Sequence, residues 1–269
     1  MTGIKLNKAI VSLDEVEEIK SNLPPKLIIH IYGLAGVGKG TLTKNLAKLL
    51  NLPLLETSLV YRAITYIYHD LMLSLTPENT DLVFKSLKAT LKDQKIMVVY
   101  KEKMLSMGDL KNSYIDSHVP AYSADKYIRE KTDKFISYLL FEVINGQCIT
   151  DARGAYPPYL IEAQDIGYKV VKINLYADFE EKVKRMYQEY IKNAKKTNPH
   201  FDESSSEATE ILTNCRHTLK ERDEKDIKTH EKLNIGLVSD DSGIIDTTHL
   251  NVDEVIGTSL SYLRKKISE

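Results

Sequence analysis

Residues 26–41, KLIIHIYGLAGVGKGT, decide the fold. The first seven, Lys26–Tyr32, are a short apolar, β-branched run that predicts a buried strand closed by Gly33. Glycines then recur at Gly33, Gly36, Gly38 and Gly40, and beyond them Leu42, Leu46, Leu49 and Leu50 return at helical spacing. Strand, glycine turn and helix in that order open an α/β unit.

Working outward, the same rhythm continues. A helix carrying Val60, Ile64, Ile67, Tyr68 and Leu71 on one face follows. Residues 76–121 change character: Lys95–Tyr100 and Lys103–Met107 read as two short strands joined at Lys101-Glu102, a hairpin inserted between crossover units. A helix is expected from Ser123 to Val143, with Ile128, Phe135, Leu139 and Val143 inward. Strands return at Gln147–Asp151, Lys169–Leu175 and Gly243–Thr247. The second is followed by a helix with Phe179, Val183, Met186 and Tyr190 on one stripe, and a last helix groups Val252, Ile256, Leu260 and Leu263. Asn193–Glu207 is a polar excursion of the kind that forms lids, and Ser204 with Glu207 could cap the helix of Ile211, Cys215 and Leu219. Residues 1–25 read as an appendage: Ser12 to Glu15 suggests a capping box, Leu13, Val16 and Ile19 share a side, and Pro24-Pro25 ends the helix. The expected architecture is a parallel sheet with helices on both faces, an inserted hairpin and a mobile helical arm.

Composition narrows what this scaffold can do. At 269 residues, 42% hydrophobic and 28% charged, the chain has the profile of a globular α/β protein and not of a disordered one. Lysines and arginines (37) balance aspartates and glutamates (38), so no global field favours nucleic acid or an anionic membrane, and anion binding must be local. Two cysteines, Cys148 and Cys215, supply neither a disulfide framework nor a zinc site, and Cys148 reads as a small core residue. Scattered histidines argue against a structural metal, and no G-x-S-x-G turn points to a hydrolase. No long apolar run suggests a membrane span or leader, so a reducing, cytoplasmic setting is expected.

The segment Gly33-Leu34-Ala35-Gly36-Val37-Gly38-Lys39-Gly40-Thr41 fits G-x-x-x-x-G-K, with Gly40 where Ser or Thr usually stands and Thr41 after it. Glycines let successive N–H groups converge on phosphate oxygens, the helix aims its positive end at the same place, and Lys39 adds a full charge. A triphosphate is the expected guest. Asp151, at the tip of its strand, could hold the hydration shell of Mg²⁺ or merely cap a turn. Arg62, Arg129, Arg153, Arg185 and Arg222 are isolated cations that, singly, could be solvated charges or ligands; Arg222 is placed to pair with Asp226 at i,i+4.

From Lys26 to about Arg264 the chain resembles the nucleoside monophosphate kinases, most closely the cytidylate (CMP/dCMP) kinases. Shared features are Gly38-Lys39-Gly40-Thr41; Leu54 to Arg62, similar to the family's L-D-[ST]-G-x-x-Y-R; the hairpin with Tyr114–Arg129; Lys220-Glu221-Arg222-Asp223-Glu224-Lys225-Asp226, similar to K-E-R-D-x-x-D; and Ile244-Ile245-Asp246-Thr247-Thr248. The chain departs from the family at three places. D-G-R-D reads Asp151-Ala152-Arg153-Gly154, losing the acid that contacts cytosine; the arginine seven residues after Arg222 is Thr229; and Glu56 and Ser58 replace Asp and Gly.

The resemblance implies a three-layer αβα P-loop fold with a five-stranded parallel sheet, a helical lid over residues 182–230 and an inserted hairpin/helix acceptor region over 76–125. It implies transfer of the ATP γ-phosphoryl group to a pyrimidine monophosphate by a monomer needing ATP and Mg²⁺. The loop 33–41 would take the donor phosphates and Asp151 the hydrated Mg²⁺. Lys39, Arg153, Arg185 and Arg222 would be catalytic. Thr57, Arg62, Ser123, Arg129, Arg153, Arg222 and Asp226 would bind the acceptor, Ser123 and Arg129 reading its base. Gly154 leaves open a kinase for UMP, AMP, dTMP or a small metabolite, and a non-catalytic nucleotide-binding regulatory module is the alternative of another class.

Overall fold

In strand β2, Leu27–Tyr32, successive side chains point to opposite faces and all six residues are buried, so the strand must be covered on both sides. The computed structural model, which describes residues 4–5, 11–233 and 236–269, shows how. Helix α1 is Leu13–Ser21, α2 Lys39–Leu50 and α11 Val252–Ser268. They lie over one face, where Val16, Ile19, Leu42, Leu46, Leu260 and Leu263 meet Leu27, Ile29 and Ile31. Ile28 belongs to the other face, packed with α3 (Thr57–Asp70), α7 (Lys126–Tyr138) and α8 (Pro158–Asp165) through Ile64, Ile67, Ile128, Ile136 and Leu160.

The sheet is wider than five strands. Its remaining strands are β1 Ile4–Lys5, β3 Leu54–Glu56, β4 Lys88–Lys92, β5 Lys95–Tyr100, β6 Lys103–Leu105, β7 Cys148–Ala152, β8 Lys169–Tyr176 and β9 Gly243–Asp246. Their order is β1-β9-β8-β2-β7-β3-β5-β4, with β6 pairing β5. The central β9-β8-β2-β7-β3 block is the expected parallel sheet. It is extended by β1, parallel to β9, and by β5, which meets β3 in parallel at Leu54 and Lys95. The inserted hairpin is therefore continuous with the sheet, and among the described residues antiparallel pairing appears only at β4 and β6. Strand β4, KATLK, is largely exposed, and its lysines hide the strand signal.

Several local expectations shift. The helix expected from Ser123 to Val143 is α6 (Ser113–Ala124, containing Pro120), α7 and a π-helical turn over Leu139–Ile144. Asp125 separates the first two, its carboxylate capping the Ile128 N–H. The polar excursion is shorter than expected because α9 runs over Phe179–Thr197 and α10 over Ser206–Leu233. Ser205, not Ser204, caps α10 by accepting from the Ala208 N–H, while Ser204 turns to Asp202. Leu13, Tyr190 and Val252, each expected on an apolar stripe, are exposed. The Ser12–Glu15 capping box forms, and Val16 and Ile19 bury against the body, so the described part of the N-terminal segment is packed. Its residues 1–3 and 6–10 lie outside the described residues. Short helices α4 (Pro77–Ser86) and α5 (Met107–Leu110) complete the insert.

Candidate active site

The parallel strands all end on one side of the sheet, and there β2 gives way to the glycine turn. Gly33 has φ +145°, and a Cβ there would stand 2.3 Å from the Leu175 carbonyl oxygen on β8, so only glycine lets the turn leave the sheet. Gly38, the N-cap of α2, has φ +96° and open space where a Cβ would be. The turn, the first residues of α2 and Asp151 line a cleft of about 550 Å³. The unpaired N–H groups at the start of α2 and its positive end favour an anion there.

Lys39 Nζ donates to the Gly33 and Leu34 carbonyls, 2.7 Å from each, so the ammonium is tucked into its own turn. Burial draws its pKa down to about 7; Arg153 and Arg222 press the same way, while Asp151 and Asp226 oppose. Asp151 ends β7 opposite Glu56 of β3. Its carboxylate accepts from the Thr57 N–H at 3.1 Å, and the Thr57 hydroxyl donates to the Asp151 carbonyl at 2.7 Å. Burial raises the Asp151 pKa, against the pull of Lys39. Thr57, expected on the acceptor, thus spends both donors on orienting Asp151.

Arg153 follows β7 and forms an ion pair with Asp226 of α10. Asp226 therefore takes Arg153 as partner instead of Arg222, the expected i,i+4 neighbour. Burial first, then the charge of Arg153, lowers the Arg222 pKa, with Asp226, Arg62 and Asp116 also in range. An arginine so placed stays charged, and its desolvation favours a compensating anion. Arg62 of α3 donates to the Leu110 carbonyl at 3.0 Å and to Asp116 of α6 at 2.6 Å. Lys39, Asp151, Arg153, Arg222 and Asp226 thus converge from the turn, the end of β7 and α10, with Arg62 close enough for its charge to act on Arg222.

Two residues go elsewhere. Arg185 of α9 donates to Glu181, to the Thr247 hydroxyl at 3.0 Å and to the Thr247 carbonyl at 2.5 Å. Thr247 in turn donates to the Val37 carbonyl, so Arg185 braces the outside of the turn and does not join the cluster. Ser123 gives its hydroxyl to the Pro120 carbonyl at 3.2 Å and its own carbonyl to Arg129. The Thr229 hydroxyl, at the missing arginine's position, bonds back to the Lys225 carbonyl.

The model of the cytidylate kinase family matches residues 29–265. The chain belongs to the cytidylate kinase family. It is 28% identical over 242 residues to the cytidylate kinase of Aquifex aeolicus, covering 88% of this chain and 96% of that one. To the cytidylate kinase of Carboxydothermus hydrogenoformans it is 27% identical over 243 residues, covering 88% and 97%. A crystal structure of an uncharacterized protein from Eubacterium ventriosum overlays with a TM-score of 0.48 at 14% identity, covering 89% of this chain and 99% of that one, too loose a likeness to add to the assignment.

Within this family member, two positions that the sequence did not single out support the site. Lys182, in the first turn of α9, is buried and ion-paired with Asp223 of α10. Its side chain stands against Gly36, where a Cβ would come within 3.1 Å of the Lys182 Cβ. The pair ties α9 and α10 to the glycine turn; a lysine beside an apolar stripe normally reads as solvated, so only the fold discloses it. His230, one turn beyond Asp226, is also buried, and burial lowers its pKa. Among the described residues no helix is long and apolar enough to cross a membrane.

Proposed function

We propose that the protein transfers the γ-phosphoryl group of ATP to CMP or dCMP, giving ADP and the nucleoside diphosphate. The observation that carries this reading is the convergence of Lys39, Arg153 and Arg222 beside a glycine turn whose amides face the same cleft. Arg153 and Arg222 stand close enough for their charges to act on Lys39, and Arg153 on Arg222, although Asp151 and Asp226 lie among them, a concentration of positive charge suited to phosphate groups.

The monophosphate oxygens are already ionised near neutral pH, so the reaction needs alignment and charge neutralisation more than a base. The loop amides of 33–41 and Lys39 hold the donor phosphates. Arg153 and Arg222 neutralise the transferred phosphoryl group, and Arg62 and Arg222 hold the acceptor phosphate. Asp226, already on Arg153, orients that guanidinium and is assigned to the acceptor ribose. Asp151, oriented by the Thr57 N–H, would hold Mg²⁺ through water, with phosphate oxygens completing the ion's shell. The ion, when bound, shields the phosphate charges. Residues 182–230 act as the lid and 76–125 as the acceptor-binding region of a kinase domain spanning 26–269. The proposed working unit is a monomer. The near-zero net charge supports action on small nucleotides and not on nucleic acid, and the proposed setting is the cytoplasm.

The test measures ADP release with ATP alone and then with CMP, dCMP, UMP, AMP and dTMP in turn. Release that depends on CMP or dCMP is expected. Acceptor-independent release would make the protein an ATPase, and no release with any acceptor would make it a binding module.

A further inference from the structure

Helix α7 carries Arg129 and Asp133 one turn apart, on the side that meets α3 and α8. The Arg129 guanidinium lies 6.0 Å above the ring of Tyr61. Tyr61 and the buried Tyr159 both feel the Asp133 charge, which adds to burial in raising their phenols. Two open valences stand side by side here. Arg129 uses Nη2 on the Ser123 carbonyl at 2.5 Å, yet its buried Nε has no hydrogen-bond partner. Among the described residues no hydrogen-bond donor reaches the Asp133 carboxylate, which is half-buried; burial pushes its pKa up to about 6, against the pull of the Arg129 charge. The buried donor is costly without a partner, and the half-buried carboxylate one turn along the helix is free to accept from the same guest.

The guest that fits is a flat heterocycle presenting a donor next to an acceptor. Cytosine does this with its exocyclic amine and N3; uracil presents a carbonyl where the amine would be and would set it against the carboxylate. The residue expected to recognise the base, at the end of the Asp151-Ala152-Arg153-Gly154 run, has no side chain here. Gly154 is buried, and its carbonyl accepts from His30 Nε2 at 2.9 Å. Resting on the kinase reading above, we propose that Asp133 takes over the base recognition that Gly154 cannot perform, accepting from the exocyclic amine of the acceptor while Arg129 donates to the neighbouring ring atoms. Asp133 is then a specificity residue carried by α7 instead of the strand tip.

The experiment compares the wild type with Asp133→Asn on CMP, UMP, AMP and the monophosphate of 2-pyrimidinone riboside, which is cytidine without the amine. A site built around one hydrogen bond rejects a base lacking it by roughly tenfold or more. Asp133→Asn is expected to lose at least about that factor in kcat/KM for CMP, mostly through KM, and to gain on UMP because an amide can donate to its carbonyl. The KM for ATP should stay within about twofold, since Asp133 lies away from the glycine turn. Removing the amine should penalise the wild type but not the variant. Asp133→Glu keeps the carboxylate and should lose part of the CMP activity without gaining on UMP, which preserves the test if the amide variant is poorly folded. An unchanged CMP-to-UMP ratio in Asp133→Asn, with the same penalty for losing the amine in both proteins, overturns the proposal alone. A wild type inert toward CMP overturns the kinase reading, and this proposal with it.

Discussion

The glycine turn and the arginine cluster facing it are built on opposite principles. The turn holds its ligand chiefly with backbone, and its shape follows from glycines at positive φ and the start of α2. The cluster is made of side chains from β7, α10 and α3, each positioned by a different partner: Asp226 for Arg153, Asp116 and Leu110 for Arg62. The turn is packed so closely on β8 that a Cβ has nowhere to go at Gly33, whereas the cluster depends on α9 and α10 staying docked through Lys182 and Asp223. A cradle defined by backbone can precede its guest, while a ring of mutually repelling cations is completed by one.

The sharpest break in that comparison is Lys39→Ala. It should lower kcat by about a thousandfold or more, on the order of 4 kcal/mol of barrier, while the thermal midpoint moves by only about 2 °C. Single-turnover phosphoryl transfer together with a melting curve reads both. Retained turnover would remove Lys39 from the chemistry. Gly33→Ala attacks the same turn from the side of the fold. With φ +145° and the Leu175 carbonyl in the way, it should cost about 3 kcal/mol or more of stability, measured by denaturant unfolding. Gly40→Ala meets open space and should change stability by less than about 1 kcal/mol. Equal losses at the two positions would mean that the turn is not constrained as described.

What the sequence disclosed follows the same division. The cradle was legible because its requirements are local: a strand, glycines where Cβ atoms clash, and a helix all fall within residues 26–50. Lys39 and Asp151 were legible as residue types at the ends of elements. Partnership was not legible. Spacing along α10 offers Asp226 to Arg222, and only the meeting of β7 with α10 gives it to Arg153. Arg185 matched a family pattern, yet β9 brings Thr247 within its reach and takes it to the far side of the turn. The strand β4 was missed because its exposed lysines break the apolar signal, and the buried Lys182 because a lysine stem can bury while its head keeps a partner, which no hydropathy pattern records.

The arginines sharpen the comparison at smaller effect. Arg153→Met and Arg222→Met should each reduce kcat by about a hundredfold, as removal of one preorganised donor does. Arg185→Ala should cost only a few-fold in rate but about 1–2 kcal/mol in stability, because the Thr247 carbonyl loses its donor. A hundredfold loss of kcat in Arg185→Ala, with the melting curve unchanged, would return that residue to the reacting centre.

The mildest test uses pH. In the free protein burial, reinforced by Arg153, sets the Lys39 pKa near about 7, well below the ordinary 10.5 of a lysine. Raising pH through 7 therefore removes the charge that a triphosphate needs, and kcat/KM for ATP should fall by up to about tenfold on the alkaline side. Bound phosphate restores the favourable field around the ammonium, so kcat at saturating ATP should stay level over the same range. Stability should move the other way. Between pH 7 and 10.5 the unfolded chain holds a proton on Lys39 that the folded one does not, so this group's contribution to stability rises with pH across that window. Opposite slopes for ATP capture and for unfolding free energy, both absent in Lys39→Met, are the signature of a cation held in place for a ligand at the expense of the unliganded fold. Parallel slopes would show that the alkaline change belongs to the protein as a whole and not to its turn.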